Sequence, residues 1–459
     1  MSKDEYLITD TPLKALTVFA MPMIFGSFFQ QIYNMADSII VGQFVGSSAL
    51  AAVGACAALT NVFICVALGA GVGAGVLVSR YFGAREYGKM KTIVSTSLIS
   101  FLLLSIVLGV FGFFFAGSMM SGLQTPADIL DDAVLYLRVY FVGFPFLFMY
   151  NILSTMFTSI GESKIPLGLL IFSSILNILM DLWMVAGLGL GVFGAAIATL
   201  IAQGISAVFS FLIFFARMQQ YKSPFNRFER QELYSMLRIA VPSVLQQSTV
   251  SIGMMIVQAV VNPFGTQALA GYTATMRVEN VFSLIFVSIG NAVSPYVSQN
   301  LGAKKYQRIR KGVHSGTYMA LLTSVVISGV MVLFGRNILS LFVSGEPEQI
   351  RQVLDIAYKY LFIMAIFLWV LYLLYVYRSA IQGLGNTLIP LASGIAEFVM
   401  RVSVALLLPK LIGEDGIFYA EICAWTSAAV LLFISYMIII RKYKDSSDSS
   451  ELPAKGLQR

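Results

Sequence analysis

The chain has 459 residues, a net charge of +7, 58% hydrophobic residues and only 12% charged ones. That is about half the charge of an ordinary soluble domain, too little to cover a water-facing surface. Soluble enzymes, nucleic-acid-binding modules and disordered chains are excluded, leaving a protein whose main partner is the lipid bilayer.

In chain order, apolar runs predict twelve spanning helices, over about 13–43, 49–79, 92–118, 133–159, 164–187 and 192–216, then 235–261, 267–297, 312–334, 352–381, 387–409 and 417–440. Alternating strands are absent, which excludes an outer-membrane barrel. The first run has no small-residue cleavage site, so no removable signal peptide is expected. Pro22 interrupts the first run and is a candidate hinge, because it removes a backbone hydrogen bond. The run from Gly69 to Gly75 sits in mid-span rather than after a strand, so it reads as close helix packing and not as a phosphate cradle. Cys56, Cys65 and Cys423 all fall inside apolar runs, so neither a disulfide framework nor a zinc site is expected.

Basic residues concentrate in one of the two sets of loops. Arg80, Arg85, Lys89 and Lys91, then Lys164, Arg217, Lys222, Arg227 and Arg230, then Lys304, Lys305, Arg308, Arg310 and Lys311, and finally Arg441, Lys442 and Lys444 lie on one side. The 119–132 loop on the other side has three aspartates and no base. The positive-inside rule then puts both termini in the cytoplasm of a plasma-membrane protein.

The chain repeats itself. Ala20-Met21-Pro22 returns as Ala240-Val241-Pro242, and Gly46 with Ala49-Leu50-Ala51 as Gly265 with Ala268-Leu269-Ala270. Gly83-Ala84-Arg85 returns as Gly302-Ala303-Lys304, and Gly161 to Pro166 as Gly385 to Pro390. Six spans per half make this a parallel duplication, a geometry of secondary transporters. The expected organisation is an N-terminal six-helix lobe (1–216), a cytoplasmic linker (217–234), a C-terminal six-helix lobe (235–440) and a cytoplasmic tail (441–459).

Ionisable groups inside a bilayer are costly, and each one is a functional hypothesis. Counting helical rise from the span ends, Asp37 lies about 6–13 Å below the outer boundary, Asp181 about 9 Å and Thr199 about 12 Å. Asn177 is one turn from Asp181, and Asn34 is three residues before Asp37. Five oxygen-bearing side chains from spans 1, 5 and 6 are thus expected at one level. Two carboxylates with amide and hydroxyl oxygens form a hard-oxygen set for a sodium ion or a proton. No other cofactor is expected.

The second half lacks this cluster. Val257 roughly matches Asp37, Arg401 matches Asn177 and Ala405 matches Asp181. Its charged residues include Arg277, Glu279 and Glu421, with Glu397 and Arg401 spaced i,i+4 for an ion pair. They are expected to form either a structural ion pair or a second-lobe polar site. Gln30, Tyr33, Met149, Tyr150, Met254 and Met255 are candidate lining for an adaptable substrate cavity. The lone His314 reads as incidental.

Three stretches carry a family resemblance: Gln30-Gln31-x-Tyr33-Asn34-x-x-Asp37 in span 1, Asn177-x-x-x-Asp181 in span 5, and Gly191-x-x-Gly194-Ala195-Ala196-x-Ala198-Thr199 in span 6. With Ser79 and Gly83-Ala84 after span 2, the set resembles the multidrug and toxic compound extrusion (MATE) family over all twelve spans, in the branch related to DNA-damage-inducible protein F. The resemblance implies an all-α membrane protein of two six-helix lobes, acting as a monomer. It implies a sodium- or proton-coupled antiporter exporting amphipathic, often cationic small molecules. It also implies an ion site at Asp37, Asn177, Asp181 and Thr199 plus the backbone carbonyl of Ala195. A flippase or exporter of a lipid-linked or other endogenous metabolite is the rival within transport. No enzyme motif such as HExxH is present.

Overall fold

The computed structural model describes residues 5–343, 347–413 and 415–448. Its first six long helices are α1 (Pro12–Phe44), α2 (Ser47–Gly83), α3 (Tyr87–Gly122), α4 (Ala127–Ser159), α5 (Lys164–Asp181) and α6 (Gly191–Gln219). The second six are α7 (Arg230–Val261), α8 (Thr266–Gly302), α9 (Tyr306–Ser340), α10 (Pro347–Gly383), α11 (Leu388–Leu407) and α12 (Asp415–Asp448). All twelve are long and apolar enough to cross a membrane, and no strand occurs among the described residues. α12 runs past the expected tail boundary at 441 as far as Asp448; residues 449–459 of that tail lie outside the described residues.

The repeated motifs are the turns. Gly46 and Gly265 hold φ of +113° and +98° between the first two helices of each half, and Gly161 and Gly385 hold +92° and +86° before the fifth. Such backbone is cheap only for glycine. Arg85 and Lys304, equivalent by sequence, both take left-handed φ near +57° and +56°. A packing contact is duplicated as well. Ser79 Oγ donates to the Ser159 carbonyl at 3.0 Å, and Ser298 Oγ donates to the Gly383 carbonyl at 2.8 Å. In each half the fourth helix is central: α4 packs on α2, α3 and α6, and α10 on α8, α9 and α12.

Met21–Val244 form one compact unit, and the residues before and after it form the other. The division falls beside Pro22 and Pro242, so α1 and α7 each give their first turns to one unit and the remainder to the other. These units therefore differ from the 1–216 and 235–440 lobes read from the sequence. A proline weakens the helix at the point where its two ends acquire different neighbours.

In the Met21–Val244 unit, glycines bring helices close. A Cβ on Gly73 would lie 2.7 Å from Ala240 Cβ, and one on Gly75 would lie 2.8 Å from Thr155 Cγ2. The Gly69–Gly75 run thus packs α2 against the start of α7 and against α4, as the small-residue reading expects. The α6–α7 connection is shorter than the expected 217–234 linker, since α6 continues to Gln219 and α7 starts at Arg230. It is also tied down: Asn226 N donates to Thr92 Oγ1 and Glu229 N to Thr96 Oγ1, each at 3.1 Å, on α3. In the other unit, a one-turn helix at Tyr6–Thr9 is held by Arg308 and Asn300, whose side chains donate to the Leu7 carbonyl.

Candidate functional site

α5 ends at Asp181 and continues as a single π-helical turn, Leu182–Gly187. Such a turn shifts the helix register and is common at functional sites. Asp181 and Asn177, one α-turn apart, are both buried. From α1, Asp37 brings its carboxyl beside that of Asp181, close enough for the two groups to act on each other directly. Two carboxylates this close repel, and a shared proton or a cation relieves the repulsion.

The α6 side of the site is Thr199. The Asn177 amide is oriented by its neighbours: its nitrogen donates to Asp181 Oδ2 at 2.6 Å, and its oxygen accepts from Thr199 Oγ1 and Thr199 N at 3.2 Å. The opposite orientation would set the amide oxygen against the carboxylate. Asp37 Oδ1 and Asp181 Oδ1 are buried and receive no hydrogen bond. Asp37, Asn177, Asp181 and Thr199 therefore meet, all inside one compact unit. Ala195 is buried one turn before Thr199, in an apolar patch with Ile40, Val41 and Val185.

Two tyrosines complete the surroundings. Tyr33 lies beside Thr199, and both Tyr33 and Tyr136 lie within electrostatic reach of Asp37. Tyr136, Tyr140, Thr199 and Gln203 line a cleft beside the site. The sequence suggests Tyr33 as cavity lining and gives no sign of Tyr136. Tyr136 sits two turns into an unremarkable apolar span, and nothing local marks it.

Asn34 is a correction. It is exposed, and its amide donates to Gln31 at 3.3 Å rather than facing Asp37. The spacing puts the two on neighbouring positions of one helix face, so it is the side-chain partner, Gln31, that separates Asn34 from the site. Among the cavity candidates, Tyr150 packs beside the α2–α4 core, Met149 is half-buried and Gln30 is exposed. Met254 and Met255 are exposed and belong to the other unit.

The second half holds an ion network. Arg401 Nη2 donates to Glu397 Oε1 at 2.9 Å, as the i,i+4 spacing predicts, and Arg401 also grips Glu421. Arg378 Nη2 donates to Glu397 Oε2 at 2.8 Å. Arg378 escaped notice because its place near the end of α10 reads as an ordinary inside-facing base. Glu279 is buried within reach of these charges, whereas Arg277, two residues away, faces outward. Val257 and Ala405 are fully buried apolar residues, so no acid pair occurs at the places matching Asp37 and Asp181.

Comparison with known proteins decides the family. The MatE family model matches residues 22–183 and 242–407, which are the two halves of the duplication. The chain belongs to the MATE family. It is similar to the probable multidrug resistance protein YoeA of Bacillus subtilis, at 26% identity over 94% of each chain. It is also 26% identical to the multidrug export protein MepA of Staphylococcus haemolyticus, over 98% of this chain and 100% of that one. Among solved structures, a MATE protein in its bent conformation matches with a TM-score of 0.90 at 23% identity, over 98% and 100% of the two chains. A MOP-superfamily transporter from Pyrococcus furiosus matches equally, with a TM-score of 0.90 at 23% identity over 97% and 99%. The two-lobe MATE fold and a transporter family are thereby established.

Proposed function

We propose that this MATE transporter is a proton-coupled antiporter that exports amphipathic drugs across the plasma membrane by alternating access, with both termini in the cytoplasm. The contact between Asp37 and Asp181 carries the reading. Two neighbouring carboxyls that are both ionised place two like charges in apolar surroundings, which one proton would relieve. The amide of Asn177 donates to Asp181 and its oxygen is engaged by Thr199. Asp37 Oδ1 and Asp181 Oδ1 are then buried carboxyl oxygens without a donor, and a proton carried by the pair supplies one.

Proton entry from outside neutralises the pair, and release toward the cytoplasm restores the charge. Exchange follows if the proton and the drug favour opposite states, since a ligand shifts a conformational equilibrium only through its differential affinity. Pro22 and Pro242, beside which the compact units divide, supply the points of bending. The names of the MepA and YoeA relatives support drug export as the task. A carrier of lipid-linked phosphates would need unpaired arginines, and both Arg378 and Arg401 are already paired with glutamates.

The test is drug flux in proteoliposomes under an imposed pH gradient and, separately, an imposed sodium gradient. Flux should follow the pH gradient and vanish in D37N and D181N. Flux driven by sodium alone would overturn the proton assignment, and full flux in both variants would remove the site from the mechanism.

A further inference from the structure

The ion network of the second half does not balance. Arg378 pairs with Glu397, Arg401 pairs with Glu397 and Glu421, and Glu279 lies within reach of Arg401, Glu421 and Glu397: two guanidiniums against three carboxyls, on α8, α10, α11 and α12. Glu397 is held by both arginines and Glu421 by Arg401 through two nitrogens. These four charges cancel. Glu279 is only 7% exposed, makes no ion pair with them, and its Oε2 has no hydrogen-bond partner. Arg401 Nη1 is likewise without a partner although Arg401 is wholly buried, and it borders the bare backbone of Gly253, whose Cβ would lie 3.2 Å from it.

A buried unpaired carboxylate and a buried uncommitted guanidinium nitrogen are each costly. Of the two, Glu279 is the one that a single proton would satisfy. We propose that Glu279 is a proton-exchanging site in the C-terminal half, separate from the Asp37–Asp181 pair. With the proton on, Glu279 is neutral beside a balanced quartet; with it off, a fifth, unmatched charge stands in the same buried cluster. Position supports a working role. Arg401 stands at the repeat equivalent of Asn177, so each half of the duplication places its buried polar group on the fifth helix. The remaining groups that face Glu279 are phenols: Tyr272 on its own helix, and Tyr360 and Tyr375 on α10. α9, which also packs on α8, keeps its charged residues toward its ends, at Arg308, Arg310, Lys311 and Arg336.

The proposal extends the transport reading, but its test needs no transport. Infrared difference spectra of the purified full chain would be recorded as a function of pH in D37N/D181N. A buried carboxylic C=O band should still be lost as pH rises, and that band should be absent in D37N/D181N/E279Q. No titrating band in the double variant, or one that persists after E279Q, overturns the proposal. Labelling of the wild-type chain with an apolar carbodiimide, which adds to protonated carboxyls, is the check that requires no substitution. Glu279 should be modified at low pH and protected at high pH, while Glu397 and Glu421 stay unlabelled. Labelling of those two in place of Glu279 overturns it equally.

Discussion

Arg401 grips Glu421 with two nitrogens, Nε at 3.0 Å and Nη2 at 2.9 Å, both side chains being almost wholly buried. A planar guanidinium fork on a carboxylate is among the stronger charge-assisted arrangements, yet its two ions were taken out of water to form it. Intact, such a pair contributes little net stability; broken, it leaves a buried charge alone.

R401M should therefore destabilise the second half by about 3–5 kcal/mol, the usual cost of removing one partner of a buried pair. Thermal unfolding of the detergent-solubilised protein is the measurement. The double change R401M/E421Q should recover part of the loss, and identical melting of R401M and wild type would contradict the pairing.

N177L removes the donor to Asp181 Oδ2 and the acceptor for Thr199 together. The expected cost is about 1–3 kcal/mol of stability from the unmatched buried groups, with drug export reduced more than tenfold. Export in proteoliposomes, normalised to inserted protein, reads this. Y136F, which keeps the ring and deletes a hydroxyl near Asp37, should have the milder effect.

Two glycines of α2 should behave oppositely. A Cβ at Gly73 would meet Ala240 Cβ and the Met236 carbonyl at 2.7 Å, whereas one at Gly54 would meet nothing within 4 Å. G73A should cost about 1–3 kcal/mol by forcing α2 and α7 apart, and G54A should be neutral or slightly stabilising. Melting temperatures of the two variants side by side decide it.

S79A and S298A delete the duplicated hydrogen bond, once in each half. Each should cost about 0.5–1.5 kcal/mol, and the effects should add, because the two sites share no partner. A marked inequality in unfolding of the two variants would mean that the halves do not use the contact alike.

P22A and P242A should each leave the helix intact or strengthen it, since alanine restores the missing backbone donor. The expected loss is in turnover and not in drug binding. Equilibrium binding of a fluorescent drug, compared with its flux, separates the two.

The sequence alone determined the twelve spans, the duplication and the common depth of Asp37, Asn177, Asp181 and Thr199. Span length follows from bilayer thickness, the depth of a residue follows from helical rise, and a turn needing left-handed backbone writes itself as glycine. These are one-dimensional constraints. Rotation about a helix and the choice of neighbour are not, and there the sequence reading failed: Asn34 turns away from Asp37, while Tyr136 and Arg378 join their sites without any local mark. The exchange of first turns between the two units at Pro22 and Pro242 belongs to the same class. Which buried charge finds a partner, and which is left over as Glu279 is, depends on side chains brought together from distant helices, and only tertiary packing sets that.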